Sequence, residues 1–94
     1  MQQPPQQNQE WWDRFQALLD EKVAWPNEYM FKFIVPSAGV DDVRALFGQE
    51  QPIELRPSSK GNYVSVTTLI RVATSAEVID VYTRAARIEK IILL

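Results

Sequence analysis

Hydrophobic positions along the chain change between the period of a strand and the period of a helix. Four segments combine alternating side chains with aromatic or β-branched residues, and each predicts a β-strand. These segments are residues 28–36, 52–57, 63–73 and 88–94. In the third segment Val64, Val66, Ile70 and Val72 fall on one side of the strand, and Thr68 interrupts this apolar side. The pattern therefore predicts a sheet with one buried face.

Three other segments have apolar residues at helical spacing and predict helices. They begin at Glu10, near Ser37 and after Thr74. Asn8 is a suitable cap for the first helix, and Pro26 helps to end the segment that contains it. Gly48 stands where a glycine commonly ends a helix. Thr74 and Glu77 have the spacing of a capping box at the start of the last helix.

The order of these elements predicts the fold class. A leading amphipathic helix is followed by β-α-β-β-α-β, the order of the ferredoxin-like α+β sandwich. Right-handed crossovers place both later helices on one face of a four-stranded antiparallel sheet. We predict a disordered Gln/Pro-rich tail at 1–9, an N-terminal helix and connection at 10–26, and the ferredoxin-like domain at 27–94.

The opposite face of the predicted sheet is left uncovered by these two helices, and we call it the open face. It is a candidate ligand site, although charge pairing between strands explains its charged residues equally well. It is also a place where the leading helix could pack. The polar candidates on the open face are Lys32, Glu54, Arg56, Ser65, Thr67 and Arg71, with Met30, Ile34, Tyr63 and Leu69 beside them.

Composition excludes several kinds of chemistry. The 94 residues include no cysteine and no histidine, which removes disulfides, thiolate sites, Cys/His zinc sites and proton transfer by histidine. Asp41 and Asp42 are neighbours on a helix and diverge by about 100°, so we assign them to the favourable first turn and not to a metal site. We expect no catalytic residues, no metal and no cofactor, and a protein that is not an enzyme.

Charge and hydropathy limit the partners. The formal net charge is -2, and the sequence pI is about 5.0, which argues against a general binder of nucleic acid. The segment from Lys60 resembles the start of the third strand of RNA-recognition modules, but Asn62 and Val64 occupy the positions that need aromatic rings. No segment has the length of a membrane span, and we expect a cytoplasmic protein.

One heptamer, "PSSKGNY" at Pro57–Tyr63, followed by Ser65 in an alternating strand, resembles the signature of the YbeD-like family. Its members are small bacterial proteins described as proposed lipoate regulatory proteins or as a domain of unknown function. The resemblance extends more weakly from about residue 29 to 94. It implies a ferredoxin-like fold similar to the small-molecule-sensing regulatory domains of amino-acid metabolism, and an indirect link to lipoate metabolism.

Two interpretations of the heptamer are open. In the first it is a hairpin connection in which serines bond to nearby backbone and Gly61 takes a positive φ. In the second, backbone N–H groups, serine hydroxyls and a lysine ammonium bind a phosphate or a carboxylate. The candidate ligand-binding residues of the second interpretation are Ser58, Ser59, Lys60, Gly61, Asn62 and Tyr63.

The tryptophan-rich leading helix also has two interpretations. Trp11, Trp12 and Phe15 could contact a partner protein, or the helix could dock on its own domain. We therefore expect a non-enzymatic regulatory or interaction module. One version senses a small anionic metabolite, and the other is a protein adaptor that uses the open face or the helix. A homodimer is a further hypothesis, from the short chain and its edge strands.

Overall fold

A four-stranded antiparallel sheet is the centre of the fold. The computed structural model describes residues 9–94. The strands lie in the order β2-β3-β1-β4, and each neighbouring pair is antiparallel. This arrangement confirms the predicted ferredoxin-like α+β class. The strands are β1 (Asn27–Pro36), β2 (Glu54–Pro57), β3 (Tyr63–Val72) and β4 (Ile92–Leu93).

Three α-helices are found among the described residues, and local signals define their ends. Gly48 has a φ of 92° and donates its N–H to Arg44 O at 3.0 Å, as expected at a helix C-terminus. The Thr74 hydroxyl accepts the N–H of Glu77 at 3.4 Å, while the Glu77 carboxylate accepts from Ala73 N at 3.0 Å. The helices are α1 (Gln9–Lys22), α2 (Val40–Phe47, after a 3-10 turn at Ser37–Gly39) and α3 (Ser75–Ala85).

The buried face of the sheet follows the predicted alternation. Phe31, Phe33 and Val35 of β1 are fully buried, and Val66 of β3 lies opposite Phe33. α2 and α3 cover this face with apolar side chains that include Val43. Burial of such side chains contributes about 1.5–3 kcal/mol each and is the main stabilising term.

Thr68, the polar residue on the apolar side of β3, is buried with its hydrogen bonds made. Its hydroxyl donates to Pro52 O at 2.8 Å and accepts from Gln51 Nε2 at 2.9 Å. The hydroxyl therefore fixes the segment that leads into β2. A buried hydroxyl is tolerated because its donor and acceptor are both used.

The predicted fourth strand was too long. Only residues 92 and 93 form β4, because the chain turns after α3. In this turn Ile91 N donates to Ile88 O at 3.3 Å, and Lys90 has a φ of 59°. β2 is also shorter than predicted and begins at Glu54. Its Leu55 points toward the helix side of the sheet, yet the residue is exposed.

α1 lies beside α3 and not on the open face. The ring of Phe15 is 5.5 Å from that of Tyr82 on α3, and Trp12 and Leu19 are buried. A cis peptide bond at Trp25–Pro26 follows in the connection to β1. The possibility that the leading helix covers the open face was therefore wrong. Of the predicted tail, Gln9 is helical, while residues 1–8, including the proposed cap Asn8, lie outside the described residues.

Candidate functional site

The loop between β2 and β3, residues 58–62, is closed by its own hydrogen bonds. Ser58 N donates to Tyr63 O at 2.8 Å, and the Ser58 hydroxyl accepts from Tyr63 N at 3.3 Å. Gly61 N donates to Ser58 O at 3.0 Å, and Gly61 has a positive φ of 74°. These contacts are those of a hairpin connection. The anion interpretation required free N–H groups and hydroxyls. Three of these N–H groups and one hydroxyl instead make hydrogen bonds within the turn.

The same loop is attached to the beginning of the helical segment after β1. Ser37 N donates to Asn62 O at 3.0 Å, and Ser37 Oγ donates to Gly61 O at 2.5 Å. Ser37 is the first residue of the 3-10 turn. Sequence reasoning missed this residue as a partner of the loop. Its position after a proline at a helix start was visible, but only the fold brings it to the loop.

A pocket of about 480 Å³ opens beside this attachment. It lies at one end of the sheet, where the loop, the start of α2 and the turn before β4 meet. Its lining mixes apolar surface with an amide, a phenol, an ammonium and two carboxylates. The lining residues are Pro36, Ala38, Gly39, Asp42, Asn62, Tyr63, Ile88, Glu89 and Lys90. We call it the end pocket.

The end pocket contains only part of the predicted ligand site. Asn62 and Tyr63 line it, whereas the other four predicted residues, which are exposed, do not: Ser58, Ser59, Lys60 and Gly61. Its cation is Lys90, held in the left-handed region with a φ of 59°. That conformation costs a non-glycine residue about 1–3 kcal/mol and is concentrated at functional positions. No sequence signal distinguished this lysine, because it lies in a segment predicted as a strand.

The open face has an apolar centre between unpaired charges. Met30 on β1 is 60% exposed, and Leu69, opposite it on β3, is 50% exposed. Among the ion pairs formed within residues 9–94, none involves Lys32, Glu54, Arg56 or Arg71. Cross-strand charge pairing therefore does not explain these side chains. The predicted candidates Ser65 and Thr67 are half-buried between them on β3.

The three partner-binding candidates on α1 have different roles. Trp12 is 2% exposed and belongs to the core, and Phe15 is half-buried against Tyr82. Trp11 packs edge-on against Trp12 with ring centroids 5.0 Å apart. Beside Trp11, the outward Leu18 lines a shallow groove of about 470 Å³. The burial of Trp12 agrees with the interpretation in which the helix docks on its own domain.

Tyr82 has a buried hydroxyl with a structural function. It lies 3.2 Å from the Tyr29 hydroxyl and donates to Leu94 O at 3.4 Å. Burial raises the pKa of Tyr82 well above its usual range, and the contact with Tyr29 raises it further. The group therefore stays protonated at physiological pH and links α3 to β1 and to the segment after β4.

Within residues 9–94, His, Cys, Asp and Glu side chains form no group of three or more that could hold a metal ion. None of the helices in that range is long and apolar enough to cross a bilayer.

The fold and the hairpin signature define a small α+β protein of the ferredoxin-like class with an added N-terminal helix. The chain belongs to the family described as "Protein of unknown function (DUF493)", whose model matches residues 20–94. YbeD-like proteins belong to this family, so the resemblance carried by the heptamer is confirmed. Comparison with curated proteins and with solved structures gave no significant match.

Proposed function

We propose that this protein is a non-enzymatic regulatory module that binds a small metabolite in the end pocket. The observation that carries the proposal is the convergence of three segments on one 480 Å³ pocket, which has the size of a small-molecule site. Two lining residues belong to the family signature, and Lys90 is held beside them in a costly backbone conformation.

The charges of the end pocket favour a zwitterion over a simple anion. Asp42 and Glu89 carry two negative charges, and Lys90 carries one positive charge. The lining therefore has a net negative charge. Binding of a phosphate is disfavoured there, because like charges repel each other at short range. A molecule with both groups can place its carboxylate near Lys90 and its ammonium near the two acids. An α-amino acid has this chemistry, and lipoate, suggested by the family description, supplies only the carboxylate.

The attachment of the loop provides a route from binding to regulation. Ser37 connects the loop to the first turn before α2, so a ligand that moves Asn62 also moves the start of that helix. Ligand binding then affects both the loop between β2 and β3 and the start of α2. A regulatory module needs such a link, because a ligand shifts a conformational equilibrium only through different affinity for the two states.

The test is an amide NMR titration of the full chain with α-amino acids, lipoate and inorganic phosphate. We expect an α-amino acid to shift the resonances of Asn62, Tyr63 and Lys90. Lys90→Gly should abolish the shifts while keeping the backbone conformation, because glycine accepts a positive φ. Lys60→Ala, a change in the loop outside the pocket, is the matched control. Absence of shifts for every compound, or unchanged binding by Lys90→Gly, would refute the proposal.

A protein adaptor is the second candidate function, and the exposure of Met30 and Leu69 on the open face favours it. The version that uses the tryptophan helix is weaker, because Trp12 is buried. The discriminating experiment compares the proteins captured by the wild type, Leu69→Glu and Leu18→Glu. If only Leu69→Glu loses a protein that the wild type captures, the open face is the binding surface. If only Leu18→Glu loses it, the groove on α1 is the binding surface.

A further inference from the structure

The cross-strand register of the open face gives a specific pattern of charge and apolar surface. In β1 and β3, Met30 lies opposite Leu69 and Glu28 lies opposite Arg71. Glu28 and Arg71 are neighbours in this register, yet they form no ion pair within 4.0 Å. At the centre of the line between β1 and β3 an apolar residue is therefore matched with an apolar residue, and beside them one acid is matched with an unpaired base, while Ile34 lies opposite Ser65.

A two-fold axis that runs parallel to the strands, above the line between β1 and β3, would place two copies with their open faces together. It would bring these residues into contact between the copies. The axis places β1 of one copy over β3 of the other, so each residue meets the cross-strand partner that it has in its own sheet. Met30 then packs on Leu69 of the second copy, and Glu28 faces Arg71 of the second copy. Each of these contacts occurs twice, as in any isologous interface.

The same operation pairs two charges that cannot meet within one copy. Glu54 and Lys32 both lie opposite Thr67, on its two sides, and are about 9.6 Å apart at two strand spacings. In the two-fold arrangement β2 of one copy lies over β4 of the other. Glu54 then lies next to Lys32 of the second copy, one strand spacing away. Two facing sheets cross at about 30°. The long side chains of Glu54 and Lys32 can cover the distance that this crossing leaves between them.

The other surfaces of the sheet are poor sites for self-association. The edge strand β2 has four residues and carries Glu54, Arg56 and Pro57, and charges and proline disfavour pairing at an edge. β4 has only two residues. The open face, in contrast, has two central strands of about 34 Å each. Its projected area is on the order of 500 Å², so two copies would bury about 1,000 Å², near the lower limit of specific interfaces.

We propose that two copies of this chain pack open face to open face about a two-fold axis between β1 and β3. The small area makes the dimer reversible, and it forms in a concentration-dependent manner. The central contact is Met30 with Leu69, and the flanking ion pairs are Glu28 with Arg71 and Glu54 with Lys32. The central contacts of the dimer lie outside the end pocket, but the two features meet at one end, because Pro36 and Tyr63 lie opposite each other on the line between β1 and β3 and also line the pocket.

Sedimentation velocity of the full chain from micromolar to millimolar concentration tests the dimer. We expect the wild type to change from monomer to dimer over this range, and Leu69→Glu to remain monomeric while its circular dichroism stays that of a folded protein. Arg87→Glu, a charge reversal in the exposed turn after α3, should dimerise normally. A wild type that stays monomeric throughout would overturn the proposal and leave the open face to a different protein.

Mixing two variants tests the axis itself. Arg71→Glu alone and Glu28→Arg alone each place like charges across the interface, and we expect each to weaken self-association at least about tenfold. In an equimolar mixture the carboxylates of the first variant face the bases of the second. The mixture should therefore form a heterodimer of near wild-type affinity. Two variants that still dimerise alone, or that fail to associate when mixed, would contradict this arrangement.

Discussion

The ring of Phe15 on α1 lies 5.5 Å from the ring of Tyr82 on α3, and the two planes meet at 60°. Edge-to-face contacts of this kind contribute about 0.5–1.5 kcal/mol beyond the burial of their area. Tyr82 also contacts Phe31 and Phe33 of β1. Tyr82 therefore connects the added helix to the centre of the domain.

Replacing Phe15 with alanine should destabilise the protein by about 2 kcal/mol, less than for a fully buried phenylalanine because the ring is half-buried. Leu18→Ala, one turn further along the same helix but 54% exposed, should change the free energy of unfolding by less than about 0.5 kcal/mol. Urea unfolding followed by circular dichroism measures both. Equal effects of the two substitutions would mean that α1 does not dock in this orientation.

The raised pKa of Tyr82 predicts a loss of stability in alkaline solution. The unfolded chain releases this proton near pH 10, whereas the folded protein keeps it. Above about pH 10 the unfolded state therefore binds fewer protons than the folded state. The contribution of the Tyr82 hydroxyl to stability is fully present below about pH 10. Above that pH, stability falls by up to about 1.4 kcal/mol per unit.

Urea unfolding at several pH values above neutrality checks this effect. Tyr82→Phe should be less stable near pH 7, because hydrogen bonds to Tyr29 and Leu94 are lost, but its stability should decline less steeply above about pH 10. Tyr63→Phe removes an exposed phenol and should decline like the wild type. If the stability of Tyr82→Phe falls with pH as steeply as that of the wild type, Tyr82 is not the group responsible for the alkaline loss of stability.

Gly61→Ala should destabilise the hairpin by about 1–2 kcal/mol through the backbone alone. No atom lies within 4 Å of an added Cβ, so there is no clash to relieve. Gly61→Asn should cost less, because asparagine accepts the left-handed region more readily. Thermal unfolding of both variants measures the difference. An alanine variant as stable as the wild type would show that the loop adopts another conformation.

Thr68→Val should destabilise the fold by about 1–3 kcal/mol, although the two side chains have similar shapes. The substitution removes the hydrogen bonds that the Thr68 hydroxyl makes to Pro52 O and Gln51 Nε2, and Gln51 Nε2 keeps only its longer contacts with Pro52 O and Leu69 O. Thr67→Val, on the open face of the same strand, is the matched control and should be close to neutral. If the two substitutions have equal effects on the urea midpoint, the Thr68 hydroxyl is not needed to hold the segment before β2.

The regular part of the fold was predictable because its signals are local. Alternation in β1 and β3, Gly48 after α2 and Thr74 before α3 each act within a few residues, so sequence alone was sufficient. β4 was overpredicted for the opposite reason. Ile88 and Ile91 are apolar because they pack in the core, and Lys90 between them turns the chain before β4 despite the strand-like pattern.

The candidate site was less predictable because distant segments form it. Asn62 and Tyr63 were identified from the heptamer, but Asp42 and Lys90 reach the same pocket only through the fold. Trp12 illustrates the same limit, since an apolar helical stripe has the same appearance whether it packs on its own domain or on a partner. Sequence left that choice open, and the contact of α1 with α3 resolves it.

The position of the tryptophans has an optical consequence. The protein has three, at positions 11, 12 and 25, and all precede β1. Its intrinsic fluorescence therefore reports on α1 and the connection to the sheet, while far-ultraviolet circular dichroism reports on the whole chain. The native protein carries a built-in, label-free sensor of whether its first helix is seated, and comparing the two signals shows whether that helix separates before the sheet unfolds.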